Sequence, residues 1–159
     1  MSTRVAIAPV QKTTEVALSP QRAFDLFVGR MAEWWPVDYD LLGAARQATV
    51  IEPRKGGRWY ERGADGSERD TGYVIAWQPP SRVVFAWQLD GAWQFDRKLV
   101  TELEIRFVER SKDRTLIELE HRGLENLGDS AEATRASLDE AGGWSMLLDR
   151  YVAFAKSMA

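Results

Sequence analysis

Leu99-Val100-Thr101-Glu102-Leu103-Glu104-Ile105-Arg106-Phe107-Val108-Glu109-Arg110, turning through Ser111-Lys112-Asp113 into Arg114-Thr115-Leu116-Ile117-Glu118-Leu119-Glu120-His121-Arg122, is the stretch that decides the fold. Glu102, Glu104 and Arg106 alternate with Leu103, Ile105 and Phe107, and Glu118 and Glu120 alternate with Ile117, Leu119 and His121. A period of two marks strands with one face in water and the other covered. The polar tripeptide between them is turn chemistry. The pair therefore predicts an antiparallel hairpin whose inner face needs an apolar cover.

The carboxy-terminal segment supplies that cover. From Trp144 to Met158 the residues Trp144, Leu148, Tyr151, Val152 and Ala155 fall on one helical face, opposite Asp149 and Lys156. Gly142-Gly143 separates this helix from an earlier helical stretch, capped by Asp129 or Ser130 and reaching Ala141. Upstream, Thr13 to Leu18 reads as a first strand, ended by Ser19-Pro20, a serine cap with proline at the first helical position. Ala23, Phe24, Phe27 and Val28 then share one helical face. Further strands are predicted at Ala48 to Glu52, Arg58 to Arg62, Asp70 to Gln78 and Arg82 to Gln88, punctuated by Gly63-Ala64-Asp65-Gly66 and Pro79-Pro80. The expected fold is α+β: a curved antiparallel sheet wrapped around a long carboxy-terminal helix.

Composition narrows the function. The 159 residues suit one domain, read here as 13–159, with 1–12 a tail or an edge strand around the short run Val5 to Val10. The chain has no cysteine, which excludes disulfides, thiolate catalysis and cysteine-held metal centres. Its 21 basic and 24 acidic residues are interleaved, so no nucleic-acid partner is expected. No segment approaches the roughly 20 apolar residues of a membrane span, and no signal-peptide plan is visible at the amino terminus. The expectation is a cytoplasmic protein that needs no cofactor and no metal.

Seven tryptophans are the outstanding feature: Trp34, Trp35, Trp59, Trp77, Trp87, Trp93 and Trp144. Large amphipathic rings suit a close-packed core or a flat ligand stacked on them. Strand and helix phase make Trp59, Trp87 and Trp144 wall candidates, while Trp34 and Trp35 beside Pro36 form a lip or plug. Trp93, after Asp90-Gly91, either covers an entrance or meets a second copy of the chain, so a homodimer stays open.

The order of Ser19-Pro20, Trp34-Trp35-Pro36, Gly56-Gly57-Arg58-Trp59, Asp65-Gly66, Gly72-Tyr73-Val74, Pro79-Pro80, Phe85-Ala86-Trp87, Leu119-Glu120-His121-Arg122-Gly123 and Gly143-Trp144 resembles a known family. It is similar to the branch of the helix-grip (birch-pollen-allergen-like, SRPBCC) superfamily named for the activator of the heat-shock-protein-90 ATPase. The resemblance runs over about residues 13 to 157. It implies a cavity for a small hydrophobic or aromatic molecule, since superfamily relatives bind sterols, lipids, hormones or polyketides and some are cyclases. The iron-dependent ring-hydroxylating relatives are set aside, because this chain has neither cysteines nor a second histidine.

Two polar residues are candidates for chemistry. Period two puts His121 on the same side as Ile117 and Leu119, where it serves either as a hydrogen-bonding or general-base group or as a structural residue. The family's histidine at this position carries no stated catalytic duty, which favours the structural role. Alternation places Glu61 with Trp59, so Glu61 either enters the aromatic chamber as a perturbed carboxylate or reaches water at a sheet edge. The expected ligand-binding set is Trp35, Trp59, Glu61, Trp87, His121, Trp144 and Leu148. Binding or carriage of a hydrophobic or aromatic ligand is the first reading. A cofactor-independent cyclase or hydrolase using His121 and Glu61 is the second, and a chaperone-accessory or interaction module the third.

Overall fold

The computed structural model describes residues 6–35 and 46–158, so Val5 of the amino-terminal run and Pro36 of the tryptophan lip lie outside the described residues. Strands β1 (Val10–Val16), β2 (Arg46–Ile51), β3 (Arg58–Gly63), β4 (Glu68–Gln78), β5 (Arg82–Trp87), β6 (Thr101–Ser111) and β7 (Arg114–Arg122) form one antiparallel sheet in the order β1-β7-β6-β5-β4-β3-β2. Helices α1 (Pro20–Gly29) and α2 (Met31–Trp34) follow β1, and a 3-10 segment (Leu124–Ser130) leads into α3 (Ala131–Asp139) and α4 (Trp144–Ser157). The sheet curls into a half-barrel with α4 as its long carboxy-terminal helix, an α+β fold of the helix-grip type. Among the described residues no helix is long and apolar enough to cross a membrane.

The period-two hairpin has the predicted faces. Leu103 pairs with His121, Ile105 with Leu119 and Phe107 with Ile117, and all six are buried. Val83 and Phe85 of β5 continue this layer opposite Ile105 and Leu103. The layer meets Phe24 and Phe27 from α1, with Phe107 in edge contact with both at 5.1 and 5.7 Å. From α4 it receives Trp144, Leu147, Leu148, Tyr151 and Ala155. Tyr151 also donates to the Ala23 carbonyl at 2.7 Å, which ties α4 to α1 and satisfies a buried hydroxyl.

Element ends depart from the sequence reading where tertiary pairing decides them. The first strand runs from Val10 to Val16 rather than Thr13 to Leu18, because its partner β7 spans His121 to Thr115 in register. Leu18 has left the ladder, and its carbonyl accepts from the Thr115 hydroxyl at 2.8 Å. The helix start at Ser19-Pro20 is as predicted, with the Ser19 hydroxyl accepting from the Arg22 amide at 3.2 Å. Ser130 does not cap α3: its hydroxyl donates to the Leu127 carbonyl, and α3 stops at Asp139, short of Ala141. On α4, Leu147 is buried, whereas Val152 is only half-buried.

The outer face is held by charge. Glu104 is 96% shielded and accepts from Arg82, from Arg106 Nε at 2.9 Å and from Arg122 Nη1 at 2.6 Å. Burial alone would raise its pKa, but the hydrogen bonds from Arg82, Arg106 and Arg122 outweigh that and hold it at about 2. Three adjacent strands are thereby clamped on the side away from the helix.

Leu148 lies under the sheet in the main core. Leu148→Ala is expected to cost on the order of 2–5 kcal/mol in chemical denaturation, and Val152→Ala distinctly less. A loss at Leu148 below about 0.5 kcal/mol, the scale of surface substitutions, would contradict this packing.

Candidate functional site

Four indoles and one imidazole converge between β3, β5, β7 and the start of α4. Trp35, at the end of α2, lies 5.7 Å from Trp59, 6.5 Å from Trp87 and 6.2 Å from Trp144 by ring centroids. Trp59 and Trp87 are 5.6 Å apart, and Trp87 and Trp144 are 5.3 Å apart. Gly72 of β4 sits between Trp59 and Trp87 in the ladder. A Cβ there would fall 1.7 Å from the Ala86 carbonyl oxygen, so only glycine lets the strands close and the two indoles meet across it. All four tryptophans are buried and make tilted or edge contacts, the geometry that ring quadrupoles favour.

His121 is the polar centre of this cluster. Its Nδ1 accepts from the Trp144 indole N–H at 3.1 Å. That leaves the proton on Nε2, which donates to the Thr101 hydroxyl at 2.7 Å, and Thr101 in turn donates to the Trp87 carbonyl at 3.3 Å. Every donor and acceptor in the relay is used, and no lone pair of the imidazole faces open space. Complete burial pushes the His121 pKa down to about 3, so the ring is neutral at physiological pH. Thr101 was not singled out in the sequence, although period two sets it on the inward face with Leu103.

Beside the cluster is a recess of about 210 Å³ lined by Trp87, Trp93, Leu138, Gly143, Trp144 and Leu147, among others. Trp93 comes from the loop between β5 and β6, and its ring stands edge-on to Trp87 at 6.0 Å. Its φ of 61° is an unusual conformation for a bulky residue. The loop is braced by Asp90, whose carboxylate accepts from the amides of Ala92 and Gln94 at 2.9 Å and whose carbonyl accepts from the Trp93 amide at 3.0 Å. Gly143 belongs at the recess floor for a steric reason: a Cβ would meet the Leu138 carbonyl oxygen at 2.2 Å.

The remaining sequence candidates lie at graded depth. Trp87 and Trp144 border the recess, while Trp35, Trp59 and His121 stand behind them in the packed cluster. Glu61 is 2% exposed on β3, on the inward face with Trp59, and does not reach water at an edge. Leu148 is a core residue of α4 one position beyond the recess wall. The described residues hold no group of three metal-ligating side chains.

A helix-grip scaffold with an aromatic-walled recess defines the class of this protein. The family model described as "Activator of Hsp90 ATPase homolog 1-like protein" matches residues 17–155, and the chain belongs to that family. Among solved structures, the chain is 35% identical to "An anthrahydroquino-Gama-pyrone synthase Txn09 complexed with SUM", with a TM-score of 0.65 over 93% of this chain and 97% of that one. It is 25% identical to the self-sacrificing resistance protein CalC from Micromonospora echinospora, with a TM-score of 0.71 over 95% and 96% of the two chains. Protein MLL2253 from Mesorhizobium loti, at 13% identity and a TM-score of 0.63 over 96% and 99%, shares the fold. No curated protein sequence matches the chain.

The relay predicts a pH signature. The folded-state pKa of His121, about 3, lies below its ordinary value of 6.5, so the unfolded chain binds this proton more tightly. Its contribution is therefore complete above pH 6.5 and is lost as pH falls toward 3, at up to about 1.4 kcal/mol per pH unit. Glu104, ordinarily near 4.5, adds its own acid loss only below that value. Unfolding free energies measured between pH 6.5 and 4.5 should thus fall steeply in the wild type and stay nearly flat in His121→Gln. An unchanged slope in the variant would place the titrating group elsewhere.

Proposed function

We propose that this protein binds a flat, fused-ring aromatic molecule of the aromatic-polyketide type against Trp87, Trp93 and Trp144. The observation that carries the reading is the recess itself, three indoles around about 210 Å³ with Trp93 supplied by a braced loop in a strained conformation. Such strain persists only where surroundings enforce it, and it gathers at ligand clamps. The volume is below the roughly 300–1,000 Å³ usual for drug-sized ligands. A tricyclic guest therefore enters edgewise, with the Trp93 ring swinging aside to admit it and then stacking on the guest's outer face. The identity of 35% to a protein described as an anthrahydroquino-γ-pyrone synthase supports a guest of the same flat, oxygenated class.

Binding or carriage comes before catalysis because both nitrogens of His121 are engaged within the protein. A general base needs a lone pair within reach of its substrate. Ring closure of a bound polyketide is the second reading, favoured by that same relative over nearly the full chain. In it Glu61, buried on the inward face, would be the proton carrier.

Titration with 1,8-dihydroxyanthraquinone, followed by tryptophan fluorescence, should give saturable quenching. Trp93→Ala should weaken affinity about tenfold, the worth of roughly 1.4 kcal/mol of stacking. Absence of saturable binding by the wild type would overturn the reading. Conversion of an added polyketide precursor, abolished in Glu61→Gln with binding retained, would replace carriage by catalysis.

A further inference from the structure

The aromatic recess carries an unbalanced charge. Ser137 and Glu140, from the end of α3, line it together with Trp87, Trp93 and Trp144, and no lysine or arginine does so among the described residues. Glu140 is the C-cap of α3: its amide donates to the Ala136 carbonyl at 3.1 Å and its carbonyl accepts from the Gly143 amide at 2.9 Å, which fixes its place at the rim. Its neighbour takes two basic side chains, since Asp139 pairs with Lys12 at 2.8 Å and with Arg135 at 3.6 Å. Glu140 itself is exposed and has no ion pair among the described residues. The helix ends leave this charge standing. α3 ends at Asp139 and α4 begins at Trp144, and their partial charges of about half a unit are opposite in sign, negative for the first and positive for the second. An acidic residue at a helix C-terminus is also unfavourable for that helix, so the stability of α3 does not account for Glu140.

The indole walls attract the same sign of ligand. An aromatic face carries negative potential and draws an ammonium group placed within about 6 Å of the ring centre. Trp93 and Trp144 stand at 77° and 71° to Trp87, so the three ring planes meet the recess from different directions. We propose that Glu140 makes this recess selective for a cationic guest, a flat aromatic ring system that carries an ammonium substituent. The rings lie against the tryptophans and the ammonium is held at the rim by the carboxylate. This rests on the aromatic-ligand reading above and adds to it: the tryptophans select flatness, and Glu140 selects charge. A rim carboxylate in contact with water acts over a short range, and salt screens it.

The test uses three anthraquinones that differ in one substituent at the same ring position: hydroxymethyl, trimethylammoniomethyl and sulfonate, which are neutral, cationic and anionic. They are titrated into wild type, Glu140→Gln and Glu132→Gln, the last removing the same charge from the exposed first turn of α3, away from the recess. At low salt the wild type should bind the ammonium probe about three- to tenfold more tightly than the neutral one, the scale of one exposed ion pair with a cation on an aromatic face. The sulfonate should bind more weakly than either. Raising the salt to about 0.5 M should narrow the differences. Glu140→Gln should lose the preference for the ammonium probe and keep its affinity for the neutral one, and Glu132→Gln should behave as the wild type. Equal wild-type affinity for the neutral and ammonium probes, a preference for the sulfonate, or an equal loss in Glu132→Gln would overturn the charge selection while the aromatic-ligand reading stands. Failure of all three probes to bind the wild type would overturn the two together.

Discussion

The relay from the Trp144 indole through His121 and Thr101 to the Trp87 carbonyl is the constraint around which this molecule is arranged. It spans α4, β7, β6 and β5, so it fixes the start of the carboxy-terminal helix against three strands at once. Hydrogen bonds in such a buried chain are modest in net worth but costly to break, since any broken member leaves a desolvated polar group. Apolar packing along α4 would permit small slides and rotations; the relay selects one setting. That setting holds Trp144 against Trp87 and thereby shapes the recess.

The same relay accounts for a lone histidine that is not poised for catalysis. A histidine near neutral pH in a cavity wall would be the natural general base, but here desolvation drives its pKa to about 3 and both nitrogens are committed within the fold. A positive charge on the ring is thereby excluded from the tryptophan cluster. On the outer face, Glu104 gathers three arginines. The half-barrel is therefore zipped by ions on its outer side and filled by aromatic rings within.

Relationship and geometry meet in a division of labour along the interior. Trp87, Trp93 and Trp144 offer faces and edges at an opening, and the Asp90-braced loop keeps Trp93 there. Behind them Trp35 and Trp59 close the cluster, and beyond those the interior becomes polar again near Thr49 and Glu61. An apolar wall with few placed polar groups is the usual plan of small-molecule sites. Family membership fits this plan without naming a guest, because one fold serves many ligands.

What the sequence by itself determined was periodic and local. The alternation of Leu103, Ile105 and Phe107 with Glu102, Glu104 and Arg106, the cap at Ser19-Pro20 and the face of α4 through Trp144, Leu148 and Tyr151 each follow from spacing along a single element, which is why strands, helices and family were legible. Period two also put Trp59 and Glu61 on one face, but only the packed structure turned that face inward. Tertiary structure alone decided how those faces meet. No spacing within one strand says that the Trp144 N–H finds His121 Nδ1, that Gly72 lets Trp59 and Trp87 touch, or that β1 begins at Val10 because β7 ends beside it. Hydrogen-bond partners and ring contacts depend on positions in space between elements far apart in the chain, and a linear pattern carries their residue types but not their distances.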